Sequence, residues 1–238
     1  MGEFGRVLFM RHPETEGNVR QFLSGRRDVA LSAKGALQAE RGAEAIVAWK
    51  PDRIVSSPLS RCRAIADRAA SVLGLDVVVD ERLIEIDFGS VEGLTRRDLA
   101  ERGLAFPWQI EGGISRPAPG AESFEHLIAR ARDFVSDAAT LEGKSACITH
   151  GGLSRALLAA VYDIPVDTFW NRVIPNVSSQ VFVSDGTSLA LQSAGLTPEE
   201  LKARAVRGFV PGDSVTKTAS PAADDEADDL ISHERSDA

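Results

Sequence analysis

Two histidines stand directly after apolar, β-prone runs: His12 follows residues 7–10 and Arg11, and His150 follows residues 146–149. One histidine at a strand end is an ordinary hydrogen-bonding residue; two in equivalent places say more. Neighbouring parallel strands lie ~4.8 Å apart, so side chains at their carboxyl ends converge on one crevice. Arg61, in the turn Ser56-Ser57-Pro58-Leu59-Ser60-Arg61 after a second strand, and Glu85, shortly after a third, reach the same sheet edge. Paired guanidinium groups offer planar donors matched to phosphate and stay charged at neutral pH. An imidazole beside them is pushed below its reference pKa of about 6.5 and keeps a nucleophilic nitrogen. A carboxyl group can protonate a leaving oxygen and later take a proton from water. The set points to phosphoryl transfer in which Arg and His donors, rather than a metal, hold the developing charge.

Elements able to position these residues follow from the pattern. Short β-prone runs at 7–10, 53–56, 76–80 and 146–149 alternate with helical patterns at 32–49, 58–73, 122–139 and 152–161. Ser32 and Ser57 are the expected N-caps of the first two helices, and Pro51 and Gly74 end them. Residues 180–184 and 188–192 form a hairpin turned at Asp185-Gly186. Alternating strand and helix predicts a three-layer α/β/α fold with a mostly parallel mixed sheet, the hairpin supplying an antiparallel edge. Residues 91–120 interrupt the alternation except for a short helix at 95–102; their Phe106, Trp108 and Ile110 suggest a lid over a partly apolar leaving group.

At this point the chain resembles the histidine phosphatase superfamily, the group of cofactor-dependent phosphoglycerate mutases and of phosphatases such as α-ribazole phosphatase. The resemblance rests on ordered blocks over about residues 6–185. Arg11-His12-Pro13-Glu14-Thr15-Glu16-Gly17-Asn18 is followed by Leu31-Ser32-Ala33-Lys34-Gly35, Ser57-Pro58-Leu59-Ser60-Arg61 and Glu85-Ile86-Asp87-Phe88-Gly89. Pro119-Gly120-Ala121-Glu122-Ser123 and Thr149-His150-Gly151-Gly152 complete the series. It implies a phosphoglycerate mutase-like fold, His12 as the nucleophile that becomes phosphohistidine, and Glu85 as proton donor. Arg11, Arg61 and His150 would bind the phosphoryl group, with Asn18, Ser24 and Gly151 around the substrate. No cofactor and no metal ion are expected. Pro13 departs from the family pattern, where glycine usually follows the nucleophile, and it removes an N–H from the pocket.

The expected activity is metal-independent hydrolysis of a small phosphorylated metabolite, α-ribazole phosphate being one specific candidate. Three alternatives stand beside it. A cofactor-dependent mutase needs basic residues for a substrate carboxylate, and Arg96, Arg97, Arg102 and Arg116 are the ones at hand. A non-catalytic phospho-ligand module would keep the fold alone. A metallohydrolase would use His12, His150 and Glu85 as ligands, against the repulsion of two arginines.

Composition sets the frame. The chain has 238 residues, 43% hydrophobic and 26% charged, with a net charge of −8. Residues 211–238 hold eight acids against Lys217 and Arg235, so six of the net charges sit in a tail too poor in apolar residues to fold, and residues 1–210 form one nearly neutral domain. An acidic balance argues against nucleic acid as partner, and no apolar run approaches the roughly 20 residues of a membrane span. The start of the chain lacks a secretion pattern, so the reading is cytoplasmic, with a homodimer left open. Cys62 and Cys147 lie in apolar patterns and read as reduced, buried thiols.

Overall fold

The computed structural model describes residues 4–104 and 108–207, the side chains of Trp108 and Gln109 excepted. The tail at 211–238 and Phe106 therefore lie outside the described residues. In chain order the elements are β1 (Gly5–Arg11), α1 (Glu16–Val19), α2 (Ala33–Trp49), β2 (Arg53–Ser56), α3 (Ser60–Leu73), β3 (Val77–Val79) and α4 (Arg96–Glu101). They continue with β4 (Trp108–Glu111), β5 (Ile114–Pro117), α5 (Phe124–Ala139), β6 (Gly143–Thr149), α6 (Gly151–Tyr162), β7 (Ser179–Ser184), β8 (Leu189–Leu196) and α7 (Pro198–Arg207).

Six strands form one sheet in the order β3-β2-β6-β1-β7-β8, the first four parallel and the last two antiparallel. Strand periodicity builds the two helical layers. In β1, Val7 and Phe9 point to α5 and α6, where Phe9 meets Phe134 and Phe182 edge-on at 6.0 and 5.6 Å. Leu8 and Met10 point the other way, onto Ile46 of α2 and Ile65 of α3. The expected three-layer α/β/α architecture is the one observed.

Local signals account for most boundaries. Ser32 Oγ accepts from Gly35 N at 2.9 Å and caps α2, and Lys50 in the left-handed region ends it before Pro51. Gly74, at φ +67°, closes α3. The start of α3 corrects the sequence reading. The helix begins at Ser60, not at Pro58, and Ser57 does not cap it. Asp28, from a distant loop, caps instead, its Oδ1 accepting from Ser60 N at 3.0 Å and Ser60 Oγ at 2.6 Å. Ser57 is thereby free to serve His150, as described below.

Residues 91–120 are more regular than expected. Besides α4 they hold a hairpin, β4–β5, turned at Gly112-Gly113 with φ of +59° and +79°, the pair of positive angles that a two-residue hairpin demands. Helix α7 was also not foreseen, although Thr197-Pro198-Glu199-Glu200 is a helix-start signal. Thr197 and Glu200 cap each other through backbone bonds of 3.2 and 2.9 Å, and buried Leu201 docks on the α2 side of the sheet. Among the described residues no helix is long and apolar enough to cross a membrane.

Candidate active site

Register brings the two histidines together. Strands β1 and β6 pair Arg11 with Thr149, so the next residues, His12 and His150, are neighbours with ring centroids 5.2 Å apart. His12 N donates to Thr149 O at 2.8 Å, which continues the ladder one step past the strand. On the far side of β6, Ser57 N donates to Ile148 O at 3.0 Å, and the chain then turns so that Arg61 enters from the first turn of α3.

Hydrogen bonds fix each ring's proton. His12 Nδ1 lies 2.6 Å from Pro13 O; a carbonyl only accepts, so Nδ1 carries the hydrogen and Nε2 keeps its lone pair. Position 13 thus serves the site through its carbonyl, which proline retains, and the missing N–H costs this contact nothing. His150 has the opposite tautomer. Its Nδ1 accepts from Arg61 Nε at 3.2 Å, so Nε2 holds the hydrogen and donates it to Ser57 Oγ at 2.7 Å. Burial first, and then the charges of Arg61 and Arg11, hold the His12 pKa well below 6.5, against the opposing pull of the Pro13 bond. Burial and then Arg61 do the same to His150. Both rings are neutral near pH 7.

A stability prediction follows. The folded-state pKa of each histidine lies below its unfolded value, so the unfolded chain binds more protons and stability is lost as pH falls below about 6.5. Together the two groups add a slope that rises toward about 2.7 kcal/mol per pH unit as pH falls through that value. Urea unfolding across that range should show this slope. His12→Asn should halve it, and an unchanged slope would mean that the ring is not held neutral.

Arg61 is 2% exposed, and each arm of its guanidinium is committed. Besides His150 it donates to Arg27 O at 2.8 Å and Gly25 O at 2.7 Å, so the loop around Gly25 is folded onto it. Arg11, buried beside His12, donates to Ile174 O. The segment ending at Val177 packs against Arg11 and the His12 backbone. Asn176 Nδ2 donates to His12 O at 3.0 Å, and Val177 takes a positive φ of +53°, unusual for a β-branched residue, with its N–H shared between Arg11 O and His12 O at 3.2 and 3.4 Å.

Glu85 is half-buried, and its carboxylate rests on the start of α6. It accepts from Gly152 N at 3.1 Å, Leu153 N at 3.2 Å and its own neighbour Ile86 N at 2.9 Å. A Cβ on Gly152 would stand 2.5 Å from Glu85 Oε1, so only glycine allows this approach. Asn18 Oδ1 is tied to Thr15 N at 3.0 Å in a capping box, which leaves the amide nitrogen as the half that faces a ligand.

Of the eight residues singled out in the sequence, Arg11, His12, Asn18, Ser24, Arg61, Glu85 and Gly151 line one open cleft of about 650 Å³. His150 does not line it. It sits a layer deeper, fully buried, with both nitrogens engaged. The cleft also contains residues that sequence reasoning missed. Arg155, one turn into α6, is 2% exposed, donates to Arg172 O at 2.5 Å and lies 4.9 Å over the Trp170 ring. Trp170 stacks on Phe124 with centroids 5.0 Å apart and, with Phe22, Leu23 and Phe88, forms an apolar wall. The spacing of Arg155 from Gly151 was the available signal for the first; nothing local marks Trp170. None of the described residues of 91–120 lines the cleft; of the residues expected in a lid, Ile110 stands away from it, and Phe106 and the Trp108 side chain lie outside the described residues. Among the described residues no group of three His, Cys, Asp or Glu side chains is arranged to hold a metal ion. Cys62 and Cys147 are both free and buried, as expected; Cys62 Sγ donates to Thr149 O at 3.3 Å behind His150.

The model of the histidine phosphatase superfamily, branch 1, matches residues 7–197. The chain belongs to this superfamily. Among curated relatives of this histidine phosphatase, "Putative phosphoserine phosphatase 2" of Hydrogenobacter thermophilus is 31% identical over 174 residues, 72% of this chain and 85% of that protein. The glucosyl-3-phosphoglycerate phosphatase of Mycobacterium tuberculosis is 34% identical over 173 residues, 68% of this chain and 77% of its own. The solved mycobacterial glucosyl-3-phosphoglycerate phosphatase complexed with VO3 superposes with a TM-score of 0.71 at 29% identity, over 81% of this chain and 99% of that one.

Proposed function

We propose that this histidine phosphatase hydrolyses small phosphomonoesters by two successive displacements at His12. The carrying observation is the His12 ring: neutral, flanked by two arginines, its Nδ1–H held by the Pro13 carbonyl and its Nε2 lone pair left on a ring that lines the cleft. In the first step Nε2 attacks phosphorus, an N–P bond forms, the P–O bond to the leaving group breaks, and Glu85 gives its proton to the departing oxygen. In the second, water attacks the phosphohistidine, Glu85 takes a proton from it, and the N–P bond breaks to release phosphate. Arg11, Arg61, the Asn18 amide and the Gly151 N–H at the head of α6 hold the equatorial oxygens. His150 steadies Arg61 and carries an Nε2–H donor that now rests on Ser57. The complex of the mycobacterial relative with VO3, an oxyanion, supports this reading.

Hydrolysis is favoured over mutase chemistry by the cleft. None of Arg96, Arg97, Arg102 and Arg116 lines it, and Arg97 is paired with Glu101 at 2.7 Å on an exposed helix face. The wall of Phe22, Leu23, Phe88 and Trp170 suits a partly apolar leaving group.

The testing assay is a panel of phosphomonoesters in the presence of EDTA. It contains p-nitrophenyl phosphate, phosphoserine, glucosyl-3-phosphoglycerate, α-ribazole phosphate, and 3-phosphoglycerate with and without 2,3-bisphosphoglycerate. Release of inorganic phosphate without movement of the phosphoryl group between positions is expected. No turnover with any of them, while phosphate still raises the unfolding temperature, would identify a binding module instead. Glu85→Gln should lower kcat/KM by about 100-fold or more for alkyl phosphates and far less for p-nitrophenyl phosphate, whose leaving group needs no proton. Equal losses would mean that the acid lies elsewhere.

A further inference from the structure

Glu85 lies in a stretch, residues 84–88, that has neither helix nor strand to hold it. Backbone oxygens in that stretch and in the turn just before it are instead bound by donors from elsewhere. Arg130 donates to Arg82 O at 2.9 Å and Ile84 O at 2.7 Å, and Thr149 Oγ1 to Leu83 O at 2.8 Å. Arg26 Nε donates to Glu85 O itself at 3.3 Å, and Glu122 N to Asp87 O at 2.9 Å. The two arginines come from distant elements, the Gly25 loop and α5, yet both turn to one carboxylate. Arg130 grips Glu122 with Nε on Oε1 at 2.7 Å and the terminal nitrogen on Oε2 at 2.9 Å, and Arg26 adds a bond to Oε2 at 3.4 Å. His126 Nδ1 donates to Oε1 at 2.6 Å.

Glu122 is 8% exposed, outside the cleft, and has no part in the displacement steps above. A buried carboxylate is costly unless it is paired and hydrogen-bonded, which Arg130, Arg26 and His126 do for Glu122. Here the partners are the groups that fix the Glu85 segment. Arg26 also stands between Gly25 and Arg27, whose carbonyls hold Arg61, so the same hub ties the acid to the phosphate-binding loop.

We propose that Glu122 is a positioning residue for Glu85: its carboxylate aims Arg130 and Arg26 at the carbonyls of Ile84 and Glu85, and so sets the Glu85 carboxylate against the head of α6. This rests on the reading of Glu85 as proton donor.

The test measures kcat/KM for an alkyl phosphate and for p-nitrophenyl phosphate in the full chain and in Glu122→Gln, Glu85→Gln, their double variant and Arg26→Gln, with folding checked by thermal unfolding. Glu122→Gln should lower the alkyl phosphate value by about 10- to 100-fold and the p-nitrophenyl phosphate value by less than about 3-fold, as expected when an acid is misplaced by a fraction of an ångström. In the Glu85→Gln background it should add nothing. Equal losses on both substrates, or a further loss in the double variant, would make Glu122 merely structural and overturn the proposal. Should Glu122→Gln fail to fold, Arg26→Gln, at the more exposed end of the hub, must show the same selectivity at about 3- to 10-fold; no selectivity there overturns it equally. If Glu85→Gln is unselective, the proton-donor reading fails and the positioning role with it, whereas a selective Glu85→Gln beside an unselective Glu122→Gln removes the positioning role alone.

Discussion

Replacing His12 by asparagine should lower turnover of every phosphomonoester by at least about 10⁴-fold, the order of loss expected when a covalent nucleophile is removed. Asparagine is the informative choice because its amide nitrogen can still donate to the Pro13 carbonyl that now holds Nδ1. The pocket should therefore persist, and phosphate should still protect the variant from thermal unfolding. Activity within about tenfold of the parent would place the nucleophile elsewhere, and loss of phosphate protection would show that the ring is mainly structural.

Arg61→Lys is the second large effect, and it should strike fold and function together. Arginine satisfies Gly25 O, Arg27 O and His150 Nδ1 from one planar group that is 2% exposed. A lysine ammonium cannot span all three, so at least one buried acceptor goes unpaired, costing about 1–3 kcal/mol. Loss of the fork at the phosphoryl oxygens should lower kcat/KM by a further ~10²- to 10³-fold. Denaturant midpoints and kinetics measured on the same sample separate the two. A variant of parental stability and activity would show that the charge alone matters and that the geometry around His150 is dispensable.

How much of this was legible in the residues differs by element. The convergence of His12 and His150 could be read from two strand ends, because parallel register does the rest. Arg61 and Glu85 were placed by the order of motifs, and the structure puts both at the cleft. Ser57 shows what local rules miss. Ser-Pro reads as a helix start, but Asp28 caps the helix from 32 residues away and leaves the Ser57 hydroxyl to His150. The depth of His150 was hidden for the same reason, since burial of a strand-end residue depends on what closes over it, here Ser57, Arg61 and Cys62 from the turn after β2 and the ring of His12. Trp170 reaches the cleft through packing between elements that no sequence period encodes, whereas Arg155 follows Gly151 at helical spacing on α6. The Gly112-Gly113 hairpin and the Thr197–Glu200 cap, by contrast, were local signals that could have been read.

The central claim, that the phosphoryl group visits the chain before reaching water, is tested most directly by stereochemistry at phosphorus. A phosphomonoester made chiral with oxygen isotopes and sulfur should be hydrolysed by the full chain with overall retention, because two in-line displacements each invert the centre. Inversion would mean that water attacks the substrate directly and that His12 is no more than a binding residue.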